Sequence, residues 1–336
     1  MAKHCHILLI LVIFAGCSKI EVATQDPKPA SQSPSSVSYP VKLTSVHLPN
    51  PIRIHDRVIS GGLPTGDAAF EELSRLGVKT VISVDGMTPD LATASKYGLR
   101  YVHLPHGYNG IPTQRVKELA KAVRELDGPI YIHCHHGKHR SPAAASVACV
   151  SAGLIPPNQA VSILKLAGTS TNYRGLFQAA EAARPMDAQE LDQLMVEFLA
   201  IQEIPALAEA MVHLEHADEK LQLIATAGWK TPEDHADLEP AHEALLVREL
   251  FTELLRTKDI EKYPDDFQEW LRDSESAAVE LEAELRSWQT KPDATLLHKI
   301  EQLSARLSAN CKACHVKYRD VPLNLASREL GPLTKR

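Results

Sequence analysis

The sequence predicts two halves of different class: an α/β unit, with a central and mainly parallel sheet flanked by helices, followed by an all-α four-helix bundle. Three observations predict this. Between Arg57 and Ala152 short β-branched runs alternate with amphipathic stretches, the pattern of a parallel sheet covered by helices. Beyond Asp187 only helical periodicity remains, punctuated by Pro and Gly. The charge also changes sign: from Val41 to Met186, 16 Lys and Arg stand against 10 Asp and Glu, and from Asp187 to Asp320, 14 stand against 29. A basic first half suits an anionic substrate; an acidic second half is a solvated helical surface. The net charge of −6 over 336 residues, with no basic run, points away from nucleic acid.

The chain opens with a basic start, an apolar run Ile7–Phe14 and small residues before Cys17. That run is too short to span a bilayer. It resembles a bacterial lipoprotein signal over residues 1–16, with Phe14 where Leu is usual. The resemblance implies export, acylation of Cys17 and attachment to a membrane of the cell envelope. Residues 17–45 follow as a tether, because Glu21–Pro40 is rich in Ser, Pro, Gln and Ala and can bury no core.

Residues 46–186 form the expected α/β domain. Arg57–Ser60 reads as a strand, broken by Gly61-Gly62. Asp67–Leu76 is a short amphipathic helix stopped by Gly77, and Lys79–Val84 is a buried strand. Pro89–Tyr97 reads as a helix ending at Gly98, and Leu99–Leu104 as a strand. Pro112–Leu126 carries Val116, Leu119, Ala120 and Val123 on one face, with Pro at its start. Then Pro129–Ile132 delivers the segment on which the half is centred, His133-Cys134-His135-His136-Gly137-Lys138-His139-Arg140-Ser141, and a helix runs from Ser141 to Ala152.

A strand, a short loop and a helix N-terminus make an anion cradle, since the loop amides and the helix dipole converge on one spot. Arg140 adds a planar fork for two phosphate oxygens. The same field favours the thiolate of Cys134, beside His133, which is then a nucleophile aimed at phosphorus. The crowding of His133, His135, His136 and His139 around Cys134 also reads as a metal site, against which stands the difficulty of converging loop neighbours on one ion. Cys149, eight positions past Ser141, lies about 12 Å along the helix and reads as a buried apolar residue.

Cys-x5-Arg-Ser preceded by His resembles the signature loop of the protein tyrosine and dual-specificity phosphatases, and His-Cys-x-x-Gly-Lys-His-Arg resembles their atypical branch. The similarity spans about Arg53–Ala183. It implies a phospho-cysteine formed on Cys134, with Arg140 and the loop residues His135, His136, Gly137, Lys138 and His139 holding the phosphate. Ser141 would donate to the thiolate and ease its release, besides its alternative as helix N-cap. Asn172 falls near a family position that orients the hydrolytic water. The family's general acid is an aspartate in the loop before the Pro112 helix, but Pro105–Pro112 holds no carboxylate. His106 takes roughly that place and titrates near neutrality; Asp85, at the end of the Val81–Val84 strand, is the other candidate.

Residues 187–320 form the expected bundle, with residues 321–336 as a tail. A leading helix Ala188–Ile201 is expected before four long ones: Ala206–Ala227, Pro240–Thr257, Asp265–Trp288 and Asp293–Tyr318. The apolar stripe of the last helix runs into Cys311-Lys312-Ala313-Cys314-His315. Cys-x-x-Cys-His is the attachment motif of c-type haem. With Tyr318-Arg319 following, it closely resembles cytochrome c′ over about Pro205–Asp320. That implies thioethers at Cys311 and Cys314 and His315 as proximal iron ligand. Met211 on the first helix stands as distal ligand or as packing, whereas His213 and His216 fall off the stripe toward solvent.

The expected whole is an exported, lipid-anchored cysteine-dependent phosphatase of phosphomonoesters, joined to a haem c bundle that senses redox state or gases or carries electrons. A phosphorylated substrate, a redox partner or gas ligand, and a second copy through the bundle are the partners implied. The rival expectation is a haem sensor or electron carrier whose first half only binds anions.

Overall fold

The computed structural model describes Tyr39–Leu323. Cys5, Cys17, the signal, most of the tether and most of the tail lie outside these residues. From Tyr39 on the chain is one compact unit, with separate apolar cores in the α/β and helical halves.

The sheet contains β1 (Val41–Lys42), β2 (Ile52–His55), β3 (Val58–Gly61), β4 (Thr80–Ser83), β5 (Arg100–His103) and β6 (Ile130–His133), in the order β1-β2-β3-β6-β4-β5. β3, β6, β4 and β5 are parallel, as expected, and β1 and β2 add an antiparallel edge. His133 is in register with Gly61 on one side and Ser83 on the other. The carboxyl ends of three neighbouring strands therefore stop on one line, the place where open α/β sheets bind ligands.

One sheet face carries α1 (Gly66–Arg75) and α2 (Leu91–Lys96) over Ile59, Val81, Tyr101 and Tyr131. The other carries α3 (Thr113–Glu125), α4 (Arg140–Ser151), α5 (Ala160–Ala167) and α6 (Arg174–Ala182). Every residue of α4 is buried, and its Ala and Ser side chains let neighbours approach closely. Cys149 is fully buried in that core, and burial pushes its thiol far up.

The expected helix over Ala188–Ile201 is cut short: α7 spans only Ala188–Gln193, capped by Asp187. The sheet takes the rest. β5 is an edge strand whose open groups recruit chain: His103 N–H donates to the Leu199 carbonyl (2.9 Å), and Gln202 N–H donates to His103 Nδ1 (3.1 Å). Lys121 Nζ donates to the Leu191 carbonyl and Phe198 packs on the α/β core. This segment thus belongs structurally to the first half.

α8 (Ala206–Thr226), α9 (Pro240–Arg256), α10 (Asp265–Thr290) and α11 (Ala294–Cys314) follow close to expectation. Glu239 and Asp293 cap α9 and α11 through two backbone amides each, and Gly228 turns the chain after α8 at φ 71°. A π-helical turn, His315–Arg319, replaces the end of the last predicted helix, closed by Asp320 N–H donating to the His315 carbonyl (2.8 Å). The helices pack in series, α8 on α9, α9 on α10 and α10 on α11, with no comparable interface closing α8 onto α11. No helix among the described residues is long and apolar enough to cross a membrane.

Candidate active site

Cys134 leaves β6 as the chain turns to α4, and only 3% of it is exposed. Its Sγ lies 3.3 Å from Ser141 Oγ, while the Ser141 hydroxyl donates to the Gly61 carbonyl (2.8 Å). Rotation about the Ser141 Cβ–Oγ bond would move that proton from the carbonyl to sulfur. Ser141 sits in the first turn of α4 rather than at its cap; His139 is the cap residue and makes no side-chain cap bond.

The loop between them is clamped from outside through its carbonyls. Asn50 Nδ2 donates to Gly137 O (2.9 Å) and Ala167 O (3.0 Å), Thr169 Oγ1 donates to Lys138 O (2.6 Å), and Leu63 N–H donates to His135 O (2.8 Å). With the carbonyls held outward, the amides are left: among the described residues, none from His135 to Arg140 has a protein acceptor. Such a nest of free N–H groups at a helix N-terminus is built for an oxyanion. Gly137 adopts φ 69°, and a Cβ there would strike the Gly61–Gly62 backbone. That close approach requires glycine.

Arg140 is buried with its Nε unpartnered. Its guanidinium lies over the Tyr108 ring at 4.4 Å, and the Arg319 guanidinium lies over the same ring at 4.5 Å. Tyr108 also meets Tyr173 (4.7 Å). The loop carrying Tyr108 is held by α6, where a Cβ on Gly175 would strike the Asn109 backbone, and by Leu323 N–H donating to the Asn109 carbonyl (2.9 Å). Arg319 and Leu323 come from the helical half. Sequence reasoning missed Tyr108, Arg319 and Asn50; the positive φ of 46° at Asn50 suits an Asn but leaves no sequence signal.

The histidine beside Cys134 is not a cation. His133 is buried, its Nε2 2.6 Å from the Tyr101 hydroxyl, and burial pushes it down to about 4. The positive field on the thiol therefore comes from Arg140 and the loop amides. His106 is likewise buried and pushed down to about 4 by burial; its Nδ1–H donates to the Gly107 carbonyl (2.9 Å), and its Nε2 has no partner. At neutral pH it holds no proton to give from that open atom. Asp85, also buried, receives Ser83 Oγ (3.1 Å) and Met87 N–H (2.9 Å) on Oδ1, while Oδ2 is buried with no partner.

At the rim, Lys138 and His136 are exposed and His135 and His139 half-buried. Burial pushes His139 down to about 4, so only Lys138 is a firm rim cation. A cavity of about 320 Å³ lies beside the loop, lined by Pro49, Asn50, Leu63, His135, His136 and Lys138. Asn172 is exposed in the turn before α6. His216 keeps 36% of its side chain exposed, in line with expectation, while its ring also meets His135 (centroids 4.9 Å apart) where the acidic edge of α8 lies across the loop; His213 is exposed as expected.

At the Cys311–His315 end of the bundle Phe251, Leu254, Phe267, Leu271 and Leu307 are buried, while Leu207, Met211, Leu250, Leu255, Tyr263, Cys314 and Tyr318 pack against them partly buried. Cys311 and Asp218 are accessible to solvent, yet burial pushes the Cys311 thiol up to about 11 and raises the Asp218 carboxyl as well. Burial also pushes Cys314 up to about 12 and His315 down to about 4, leaving a neutral imidazole. Lys317 and Tyr318 anchor the π-helical turn to Asp266.

No protein-family model matches this chain, and no curated protein does. Solved structures do. TpbA from P. aeruginosa is 22% identical over 43% of this chain and 88% of its own, with a TM-score of 0.36. A cysteine-to-serine TpbA in complex with pTyr is 21% identical over 47% and 96%, at 0.37. The core catalytic domain of the PP-IP phosphatase SIW14 from S. cerevisiae, in complex with citrate, is 17% identical over 44% and 93%, at 0.38.

Proposed function

We propose that the α/β half is a cysteine-dependent phosphatase of the tyrosine and dual-specificity type, acting on phosphomonoesters. The observation that carries this is the cradle itself: Cys134 at its foot, Arg140 buried with an unpaired N–H, and a clamped loop whose amides point at no protein acceptor. Cys134 Sγ attacks phosphorus and the ester P–O bond breaks. Arg140 and the amides hold the non-bridging oxygens, whose charge they are placed to meet. The leaving oxygen takes a proton from Asp85, whose Oδ2 is the buried unpartnered oxygen at the strand end. Water then displaces sulfur, regenerating the cysteine and releasing phosphate, while the Ser141 hydroxyl turns from Gly61 O to stabilise the departing thiolate.

The helical half is read as a haem c bundle. Support comes from the attachment motif at the end of α11 and from the partly buried Met211 and Cys314 packed against the bundle core at that end. Cys311 and Cys314 would hold the group by thioethers and His315 would ligate its iron. Bound haem would supply an iron able to change oxidation state and take small ligands. Met211, half-buried on α8 at that end, is placed for distal packing or ligation. Export with a lipid on Cys17 fits such a protein, since haem c is attached outside the cytoplasm.

The reading is tested by single-turnover hydrolysis of an aryl phosphate beside Cys134→Ser. Phosphate release by the parent with a trapped phospho-cysteine, and neither in the variant, is expected. A parent that binds phosphate without turning over any ester would mark the first half as an anion-binding module.

A further inference from the structure

We propose that His135, His136 and Glu219 form a binding site for a divalent transition metal of the zinc class, joining the phosphate loop to α8. The loop's neighbours do converge once α8 is in place. His136 Nε2 lies 3.4 Å from Glu219 Oε1, His135 Nε2 lies 3.6 Å from Oε2, and His216 Nδ1 lies 3.7 Å from Oε2. Ligand atoms of His135, His136 and Glu219 all fall within 4.8 Å of one another. The His135 and His136 rings stack at 4.3 Å, presenting their Nε2 atoms side by side.

The distances choose between two explanations. None of these His–Glu219 approaches is a hydrogen bond, and the two longer ones exceed hydrogen-bond reach. A tetrahedral ion with bonds of about 2.0–2.1 Å sets its ligands about 3.3–3.4 Å apart, close to the spacing seen. Two imidazoles and one carboxylate, with solvent completing the shell, are a donor set that zinc takes. Glu215 Oε1, 4.0 Å from His136 Nε2, is the other carboxylate facing the cluster and lowers the cost of a dication there.

The residues split between the two halves, so an ion here would cross-link α8 to the loop that starts at Cys134. This inference rests on the cluster alone and is independent of turnover. Its test is calorimetric titration of the EDTA-treated full chain with zinc chloride, with X-ray absorption at the zinc edge. One zinc per chain in a nitrogen and oxygen shell is expected, with at least tenfold weaker binding in Glu219→Ala and parental binding in His216→Ala, which lies outside the converging group. Neither residue belongs to the cradle, and far-ultraviolet circular dichroism and metal-free aryl phosphate hydrolysis report that each variant is folded. No stoichiometric zinc in the parent, sulfur in the shell, or parental affinity in Glu219→Ala overturns the proposal.

Discussion

Cys134 and Cys311 each stand where a regular element ends, yet the protein around them is finished to different degrees. Around Cys134 every loop carbonyl named above has a donor, the core beneath is closed, and what is left open is a set of amides and one guanidinium N–H aimed at a common point. Around Cys311 the core is mixed: Phe251, Leu254, Phe267, Leu271 and Leu307 are buried, while Leu207, Met211, Leu250 and Leu255 stay half-open. The first pattern is complete around an opening lined by donors; the second leaves apolar side chains of α8 and α9 partly uncovered.

Breaking each site in turn sharpens this contrast. The largest effect is expected for Cys311→Ser combined with Cys314→Ser, which should abolish covalent haem on a denaturing gel and lower the thermal midpoint of the helical half. Hydrolysis dependent on Cys134 should persist, because the cradle is built without either cysteine of α11. Cys134→Ser should reduce turnover at least about 10⁴-fold with the haem spectrum unchanged. Asp85→Asn should cost about 10²–10³-fold on alkyl phosphates, the range of a general acid, and much less on aryl phosphates, whose leaving groups need little protonation. His106→Gln should leave that ratio between substrates unaltered; a collapse of the ratio in His106→Gln instead would make His106 the acid.

Acid should loosen the first half. His106 and His133 are buried and held down to about 4 from the usual 6.5. Between those values the unfolded chain binds protons that the folded chain refuses, so stability is present above the ordinary histidine pKa and is lost as pH falls toward 4. Each contributes up to about 3 kcal/mol to that loss. Urea midpoints at neutral pH and near pH 4.5 measure it, and His133→Gln should flatten the dependence.

The smallest expected effect is the most informative about how the halves meet. Arg319→Ala removes one of the two guanidinium groups, its own and that of Arg140, that lie over the Tyr108 ring. A loss of about tenfold in kcat/KM, about 1.4 kcal/mol, is expected, with Arg319→Lys recovering only part because an ammonium does not stack flat. Unchanged kinetics would show that the α/β half fixes Tyr108 and Arg140 unaided.

The sequence by itself determined the elements and the chemical inventory. Hydrophobic period, Gly and Pro stops and the Cys-x5-Arg spacing located strands β3 to β6, helices α1 to α4 and α8 to α11, and the pairing of Cys134 with Arg140. All of these are local signals, read within about one turn or one strand. Only the tertiary structure decided what each side chain meets. The edge of β5 overrode helical propensity over Leu194–Ile201, because unpaired strand amides outbid a short solvated helix. Burial, set by atoms far away in sequence, is what pushes His133 and His106 down. The packing of α8 across the loop set Glu219 beside His135 and His136, and the end of α11 brought Arg319 onto Tyr108. Charge, protonation and ligand geometry depend on distances between elements, and a linear pattern does not contain those distances.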